Sequence, residues 1–462
     1  MTGMARSGTI VTLGTSLSRL TGLARISVIA YVVGFTRLTD GYNLANATPN
    51  ILYELLLGGV LTATLVPIFV DHFERDDEEA TSAVVSVTVA VLAVISVLGV
   101  LLAPFIARLY TLRITDADIA SQRELVTSLL RWFMPQILLY GIVALATAIL
   151  HARRRFAAPA FAPALNNVVV MAVFLLLHKW AGGTPSLGAV LDDRSLLMLI
   201  GLGTTAGIAL MAFAILPAVR RSGVRLRLNL NWRHPAIGEI LRLSSWTVGY
   251  VASNQIALWI VILLALEHAG DLSAYQTAFV FFQLPHGLLA VSLMTTIGPE
   301  LASRARNLPL LRIHFRDTLR LLVMAMTPAA VGYVVLARPI VEALLERGAF
   351  ANASAVRTAD VLAIFAVALV PFSVYLYALR GFYALRNTRT PFWLNLFENG
   401  VNIAFAVALV PALEVQGLAI SYAIAYSVAA IAAMIALSRR IGNVFNGPVM
   451  RFRDLNPHSR LG

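Results

Sequence analysis

Residues 81–107 read TSAVVSVTVAVLAVISVLGVLLAPFIA, without a single charged residue. About 20 mostly apolar residues in a helix cross the hydrocarbon core of a bilayer, so this stretch can span one by itself. It lacks the strict alternation of a barrel strand and is far longer than one. It is bounded by an acidic segment, DHFERDDEEA at 71–80, and by Arg108. Eleven further apolar runs of similar length flank it, giving spans at 8–36, 41–70, 81–107, 125–150, 160–178, 195–218, 238–266, 273–299, 318–337, 358–385, 391–411 and 415–438. The first run carries Arg19 and Arg25 and has no small-residue cleavage pattern, so it reads as a span and not as a signal peptide.

The whole chain agrees with this reading. Its 462 residues are 58% hydrophobic and 13% charged, and its mean hydropathy is +0.78. A soluble domain is about 45–50% apolar and about 25% charged, and could not hide this much apolar surface. The composition also excludes a disordered chain, and the absence of cysteine excludes a disulfide scaffold. The fold class expected is an all-α polytopic membrane protein of about 12 transmembrane helices.

The net charge of +12 comes almost entirely from arginine, with Lys179 the single lysine. In a soluble protein such a balance suggests nucleic acid; in a membrane protein it reports topology, because cytoplasmic loops collect basic residues. With the N-terminus inside, 23 of the 36 basic residues fall on inside segments, 9 on outside loops, and four (Arg19, Arg25, Arg131 and Arg380) within spans. Both termini are therefore expected in the cytoplasm. The most basic inside stretch, 219–242, lies midway along the chain. It divides the sequence into an N-terminal lobe at 1–218, a basic linker at 219–237, a C-terminal lobe at 238–438 and a tail at 439–462.

The halves are related. A shift of 232 residues places Leu61, Thr64 and Pro67 on Leu293, Thr296 and Pro299, and Arg154, Pro159 and Asn167 on Arg386, Pro391 and Asn399. The shift spans six helices, an even number, so the repeat is parallel, and six-helix bundles related in this way flank a central cavity and rock about it. The expected architecture is thus two parallel-repeated six-helix bundles around such a cavity.

Ionisable groups inside a membrane are costly and point to function. Arg19 and Arg25 lie six residues apart on the first span, Arg19 too deep for easy snorkelling. In the second span Asn43, Asn46, Asn50 and Glu54 fall on one helical face, with Asp40 preceding them. In the eleventh, Asn395, Glu398, Asn399 and Asn402 do the same. A lone Asn between membrane helices is packing glue, whereas a stripe that includes a carboxylate is expected to face water. Arg131 and Arg380 could pair with Glu54 and Glu398 or meet a substrate, and His286 in QLPHG could titrate or pack. No phosphate loop, HExxH or GxSxG occurs, and the eight histidines have no metal-ligand spacing. No enzymatic activity, cofactor or metal is expected.

Several stretches resemble the MurJ (MviN) family of lipid II flippases: RSGTIVTLGTSLSRLTGLAR at 6–25, TDGYNLANATPNILYELLLGG at 39–59, VPIF at 66–69, QLPHGLLAVSLMTT at 283–296, LLERGAF at 344–350 and GFYALRNTRTP at 381–391. PNILYELLLGG looks closest to actinobacterial members. The resemblance implies a transporter of the multidrug/oligosaccharidyl-lipid/polysaccharide exporter superfamily in a bacterial plasma membrane. Its implied substrate is the undecaprenyl-linked peptidoglycan precursor, moved from the inner to the outer leaflet by alternating access. It implies membrane lipids as surroundings and no nucleic-acid partner. Arg19, Arg25 and Asp40 match family positions. Ile26, Tyr53, Glu54, Val280 and Ala406 depart from charged positions of some members, and the reading finds twelve helices where the family has fourteen. The candidate substrate-binding set is Arg19, Arg25, Asp40, Asn43, Asn46, Asn50, Glu54, Arg380, Glu398 and Asn402. Two other readings stay open. One is a cation-coupled multidrug exporter of the same superfamily. The other is a non-transporting scaffold for cell-wall synthesis proteins.

The charge distribution makes a direct prediction. A reporter active only in the cytoplasm, fused after Ser438, should be active; activity from a periplasm-specific reporter there would overturn the assignment of the termini.

Overall fold

A helix satisfies its own backbone hydrogen bonds, which nothing in hydrocarbon can do for it. The computed structural model describes residues 2–55, 65–114 and 118–444, and among these all regular structure is helical. In chain order the α-helices are α1 (Thr2–Val33), α2 (Arg37–Tyr53), α3 (Val66–Glu74), α4 (Glu78–Tyr110), α5 (Ile119–Phe133), α6 (Gln136–Ala152), α7 (Ala157–Trp180) and α8 (Leu187–Asp192). They continue with α9 (Arg194–Arg220), α10 (Pro235–Ala265), α11 (Asp271–Pro285), α12 (Val291–Arg304), α13 (Leu308–Leu345), α14 (Asn352–Ala384) and α15 (Arg389–Ile441). A π-helical turn, His286–Ala290, joins α11 to α12.

Among the described residues ten helical stretches are long and apolar enough to cross a membrane. One of them, α15, runs 53 residues and breaks at Glu414, whose φ of 49° and ψ of −136° are not helical, so it reads as two crossings. The second span expected from sequence comprises α2, α3 and the residues between them, of which 56–64, with Leu61 and Thr64, lie outside the described residues.

Helix α4 shows why these segments form and where they sit. The Asp77 carboxylate accepts the Ala80 N–H at 2.8 Å, Glu78 and Glu79 occupy the first turn, and Arg108 the last. This is the charge order that a helix dipole favours. Along its length Val91, Val94, Val97, Leu98, Leu101, Leu102 and Phe105 are exposed. Such a row would be a liability in water and is what a lipid-facing surface requires.

The chain forms two compact units. The first is Met1–Ala274 with Val341–Val356; within it α1 packs along α7, α7 along α9, and α2 against α5. The second is Tyr275–Ile340 with Arg357–Gly462. Its interior is aromatic: Tyr275, Phe279, Phe282, Phe365, Phe372, Tyr422 and Tyr426 form a continuous set of ring contacts.

Local geometry recurs at the spacing read from the sequence. Helices α6 and α14 end at Ala152 and Ala384, and α7 and α15 begin at Ala157 and Arg389. Between them Arg154 and Arg386 both adopt left-handed backbone, with φ of 55° and 56°. Both donate their N–H at 2.9 Å, to the carbonyls of His151 and Tyr383 respectively. The next N–H groups, of Arg155 and Asn387, reach back to Leu150 and Phe382.

Left-handed backbone costs about 1–2 kcal/mol for a residue with a Cβ. Arg386 is exposed, so Arg386→Gly should raise the thermal midpoint of the purified protein slightly, and Arg386→Val should lower it.

Candidate functional site

In the first unit, Arg19 is exposed and Arg25 half-buried on α1. Neither forms an ion pair with any described residue. Asn167 of α7 holds this part of α1 in place, its side-chain amide donating to the Ser18 carbonyl (3.1 Å) and the Thr21 hydroxyl (3.0 Å). Arg25 lies close enough to Tyr42 and Tyr140 to act on both electrostatically. Tyr140 in turn packs against Tyr53, ring centroids 5.7 Å apart. A guanidinium near tyrosine side chains, with no ion pair among the described residues, is chemically suited to a phosphate or a sugar. The sequence reading missed these tyrosines, because an aromatic in an apolar span carries no signal that separates a site wall from ordinary packing.

The polar stripe of α2 divides into two parts. Its inner members, Asn46, Asn50 and Glu54, are half-buried or exposed, and Glu54 forms no ion pair with Arg131. Its other end is locked. Asp40 is 0% exposed; it accepts the Gly270 N–H (2.6 Å), the Ser273 N–H (3.0 Å) and the Ser273 hydroxyl (2.6 Å). It thereby caps the start of α11 from a different helix, meeting the orphan N–H groups that every helix start presents. Asn43 donates to the Ser273 hydroxyl at 3.1 Å. Arg37, buried beside Asp40, donates to the carbonyls of Leu266 (2.7 Å) and Glu267 (3.0 Å) at the end of α10. Arg113 adds an ion pair to Glu267 at 3.0 Å.

The turn 266–273 is thus clamped on both sides. Gly270 has φ +86°, and a Cβ there would sit 2.7 Å from the Phe35 carbonyl oxygen. The 346–351 turn docks onto α1 nearby: the Ala349 N–H donates to the Tyr31 carbonyl at 2.8 Å and Phe350 meets Phe35 edge-on. Gly348, at φ +62°, leaves no room for a side chain against Tyr31. The sequence reading missed Arg37, although its position three residues before Asp40 was a usable signal.

In the second unit, Arg380 is exposed, while Glu398 and Asn402 are buried at 1% and 6% exposure. Arg380 and Glu398 form no ion pair. Asn402 accepts the Ser421 hydroxyl at 3.0 Å, and the Asn399 amide donates to the Asn395 carbonyl. This stripe ties the two parts of α15 together, so it faces protein where the sequence pattern suggested water. Glu398 has one carboxylate oxygen without a hydrogen-bond partner among the described residues. His286 packs: its Nδ1 lies 2.9 Å from the Ser373 hydroxyl and its ring rests on Phe372. Among the described residues neither unit by itself gathers three His, Asp or Glu ligand atoms in one place.

A family model described as "Lipid II flippase MurJ" matches residues 29–453. The chain is 25% identical over 427 residues to the "Probable lipid II flippase MurJ" of Haemophilus influenzae, covering 88% of this chain and 81% of that one. It is 28% identical over 415 residues to the protein of the same description from Rhizobium meliloti, covering 87% and 74%. Among solved structures it is similar to a lipid II flippase MurJ in an inward closed conformation, with TM-score 0.79, 21% identity and 93% and 87% of the two chains covered. It is also similar to a multidrug resistance MATE family transporter of the MOP superfamily, inward-facing, with TM-score 0.73 and 14% identity, covering 94% and 99%. These structural likenesses establish the fold.

Two substitutions test the clamp. Gly270→Ala should destabilise the purified protein by about 1–3 kcal/mol through backbone strain, read as a lowered thermal midpoint. Asp40→Asn, which loses acceptors for buried donors, should do the same at about 1–3 kcal/mol.

Proposed function

The chain belongs to the MurJ family of lipid II flippases, and we propose that it moves lipid II, a polyprenyl-pyrophosphate-linked glycan, from the inner to the outer leaflet by alternating access. The observation that carries this reading is the family match across nearly the whole chain, 29–453. The chemistry of α1 supports it. The headgroup of such a lipid is a pyrophosphate joined to sugars. Arg19 and Arg25 supply guanidinium groups without an ion pair among the described residues, and arginine meets phosphate oxygens two at a time. Tyr53 and Tyr140, both half-buried, offer hydroxyls and ring faces for the sugars. Asn46, Asn50, Glu54 and Arg380 are the remaining open candidates. Glu398 and Asn402 would join them only in a different arrangement of α15.

Asp40 and Asn43 take another role in this proposal. With both termini cytoplasmic, the clamp of Arg37, Asp40, Asn43 and Ser273 lies at the outer face and keeps it shut while the cavity is open inward. The lobes 1–218 and 238–438, joined by the linker 219–237, would rock to break it. The recurrence of backbone geometry around Arg154 and Arg386 supports a parallel repeat of this kind. The protein needs no catalytic group for such a cycle.

Two experiments test the reading. Arg19→Ala and Arg25→Ala should each abolish complementation of a flippase-depleted strain, scored by lipid II accessibility at the outer leaflet, at near-normal membrane expression. The Lys variants should restore activity only in part, since lysine keeps the charge but loses the planar fork. Full activity of both Ala variants would sink the cavity role. For the cycle, Asn43→Cys with Ser273→Cys in this cysteine-free chain should form a disulfide, given side chains already 3.1 Å apart. The cross-link should stop flipping and reduction should restore it; unimpaired flipping by fully cross-linked protein would exclude an opening clamp.

A further inference from the structure

Between α9 and α10 lies VRLRLNLNWR, residues 224–233, which runs without helix or strand as far as Asn231 and turns at Trp232 and Arg233. Apolar and polar residues alternate there, and the N–H groups of Arg227 and Asn229, two residues apart, face the same way, as in extended backbone, which turns neighbouring side chains to opposite sides. The segment is tied to α4: the N–H groups of Arg227 and Asn229 donate to the hydroxyls of Ser82 and Ser86, both at 3.1 Å, and the Ser86 hydroxyl donates to the Arg227 carbonyl at 3.3 Å. Its apolar row is nonetheless bare. Leu226, Leu230 and Trp232 are exposed, and Leu228 is 84% exposed. Arg225, Arg227 and Arg233 are exposed as well, and the Arg233 guanidinium lies over the Trp232 ring at 4.7 Å.

Helix α4 sets the depth of this row. From Val91, the first of its lipid-facing residues, to Tyr110, a rise of 1.5 Å per residue covers about 30 Å, the thickness of the hydrocarbon core. Ser86 precedes Val91 by five residues and so lies about 7 Å beyond that edge, in the headgroup layer. Ser86 and Val97 are eleven residues apart, close to three full turns, and therefore share one side of α4. Val97 is 60% exposed to the surroundings of the helix. The segment is consequently fastened across a side of α4 that, deeper down, faces lipid.

We propose that residues 224–233 are an interfacial membrane anchor that binds anionic phospholipid. Leu226, Leu228, Leu230 and Trp232 dip among the upper acyl chains, and Arg225, Arg227 and Arg233 hold the phosphates of the headgroups. The depth accounts for the bare leucines, tryptophan is at home in the interface, and arginine matches phosphate geometry. The anchor would hold the connection between α9 and α10 at the membrane surface. It needs only a membrane-spanning chain and stands apart from the identity of the transported substrate.

The test uses single cysteines at Leu228 and, as a control on the opposite side, at Asn229, each labelled with an environment-sensitive fluorophore. The full-length protein is reconstituted in phosphatidylglycerol or phosphatidylcholine vesicles that contain a spin-labelled phospholipid quencher. The label at 228 should be quenched more strongly than that at 229, and more in phosphatidylglycerol. Each of Arg225→Gln, Arg227→Gln and Arg233→Gln should lower that preference by about fivefold in partitioning, while thermal midpoints report that the variants remain folded. A label at 228 quenched by aqueous iodide and untouched by the lipid quencher overturns the proposal. So does a label shielded from both, which would mean that another protein or a second copy covers the row. Equal quenching in the two lipids, unchanged in the arginine variants, overturns the anionic headgroup as ligand.

Discussion

Hydrocarbon offers no partner for a backbone N–H or carbonyl, and the rest of this structure follows from that constraint. It forces the described chain into helices and pushes every departure from helical geometry to where partners exist. The left-handed residues Asp76, Arg154 and Arg386 all sit in connections, where the free N–H groups bend back onto the last carbonyls of the preceding helix. Glu414, the fourth, divides α15 into two crossings. The clamp around residues 266–273 is the same constraint met by side chains: Arg37 receives the carbonyls that end α10, and Asp40 the N–H groups that start α11.

The constraint also sorts the polar residues. A polar group in a membrane helix must either find a protein partner or face water. Asn167 and Asn402 have partners and act as packing glue. Arg19 and Arg25 have no counter-charge among the described residues, and their cost is tolerable only where water or an anionic ligand reaches them. That difference, and not the mere presence of charge in a span, separates the α1 arginines from Asp40.

Membership of the MurJ family and the physical character of α1 thus bear on different questions. The family match says what kind of lipid the fold handles; the guanidinium groups of Arg19 and Arg25, without an ion pair among the described residues, are chemically suited to a phosphate. On α2 and just after it, Tyr53 packs its ring against Tyr140, and Glu54 stays without an ionic partner among the described residues.

Much was legible in the sequence because hydrophobic length and periodicity are local properties. The helical class and the membrane-spanning character of the apolar runs follow from composition and spacing along one chain. What spacing cannot report is the partner of a side chain from a distant segment. Asn43 and Glu398 belong to similar stripes. Only tertiary packing set Asn43 against Ser273, 230 positions away, and enclosed Glu398 at 1% exposure. The fate of Asp40 was decided in the same way, by Gly270 and Ser273 arriving beside it. Sequence determined that the chain must lie in a membrane and which polar groups it carries there. The tertiary structure decided which of them are satisfied, because satisfaction depends on contacts between residues far apart in the chain.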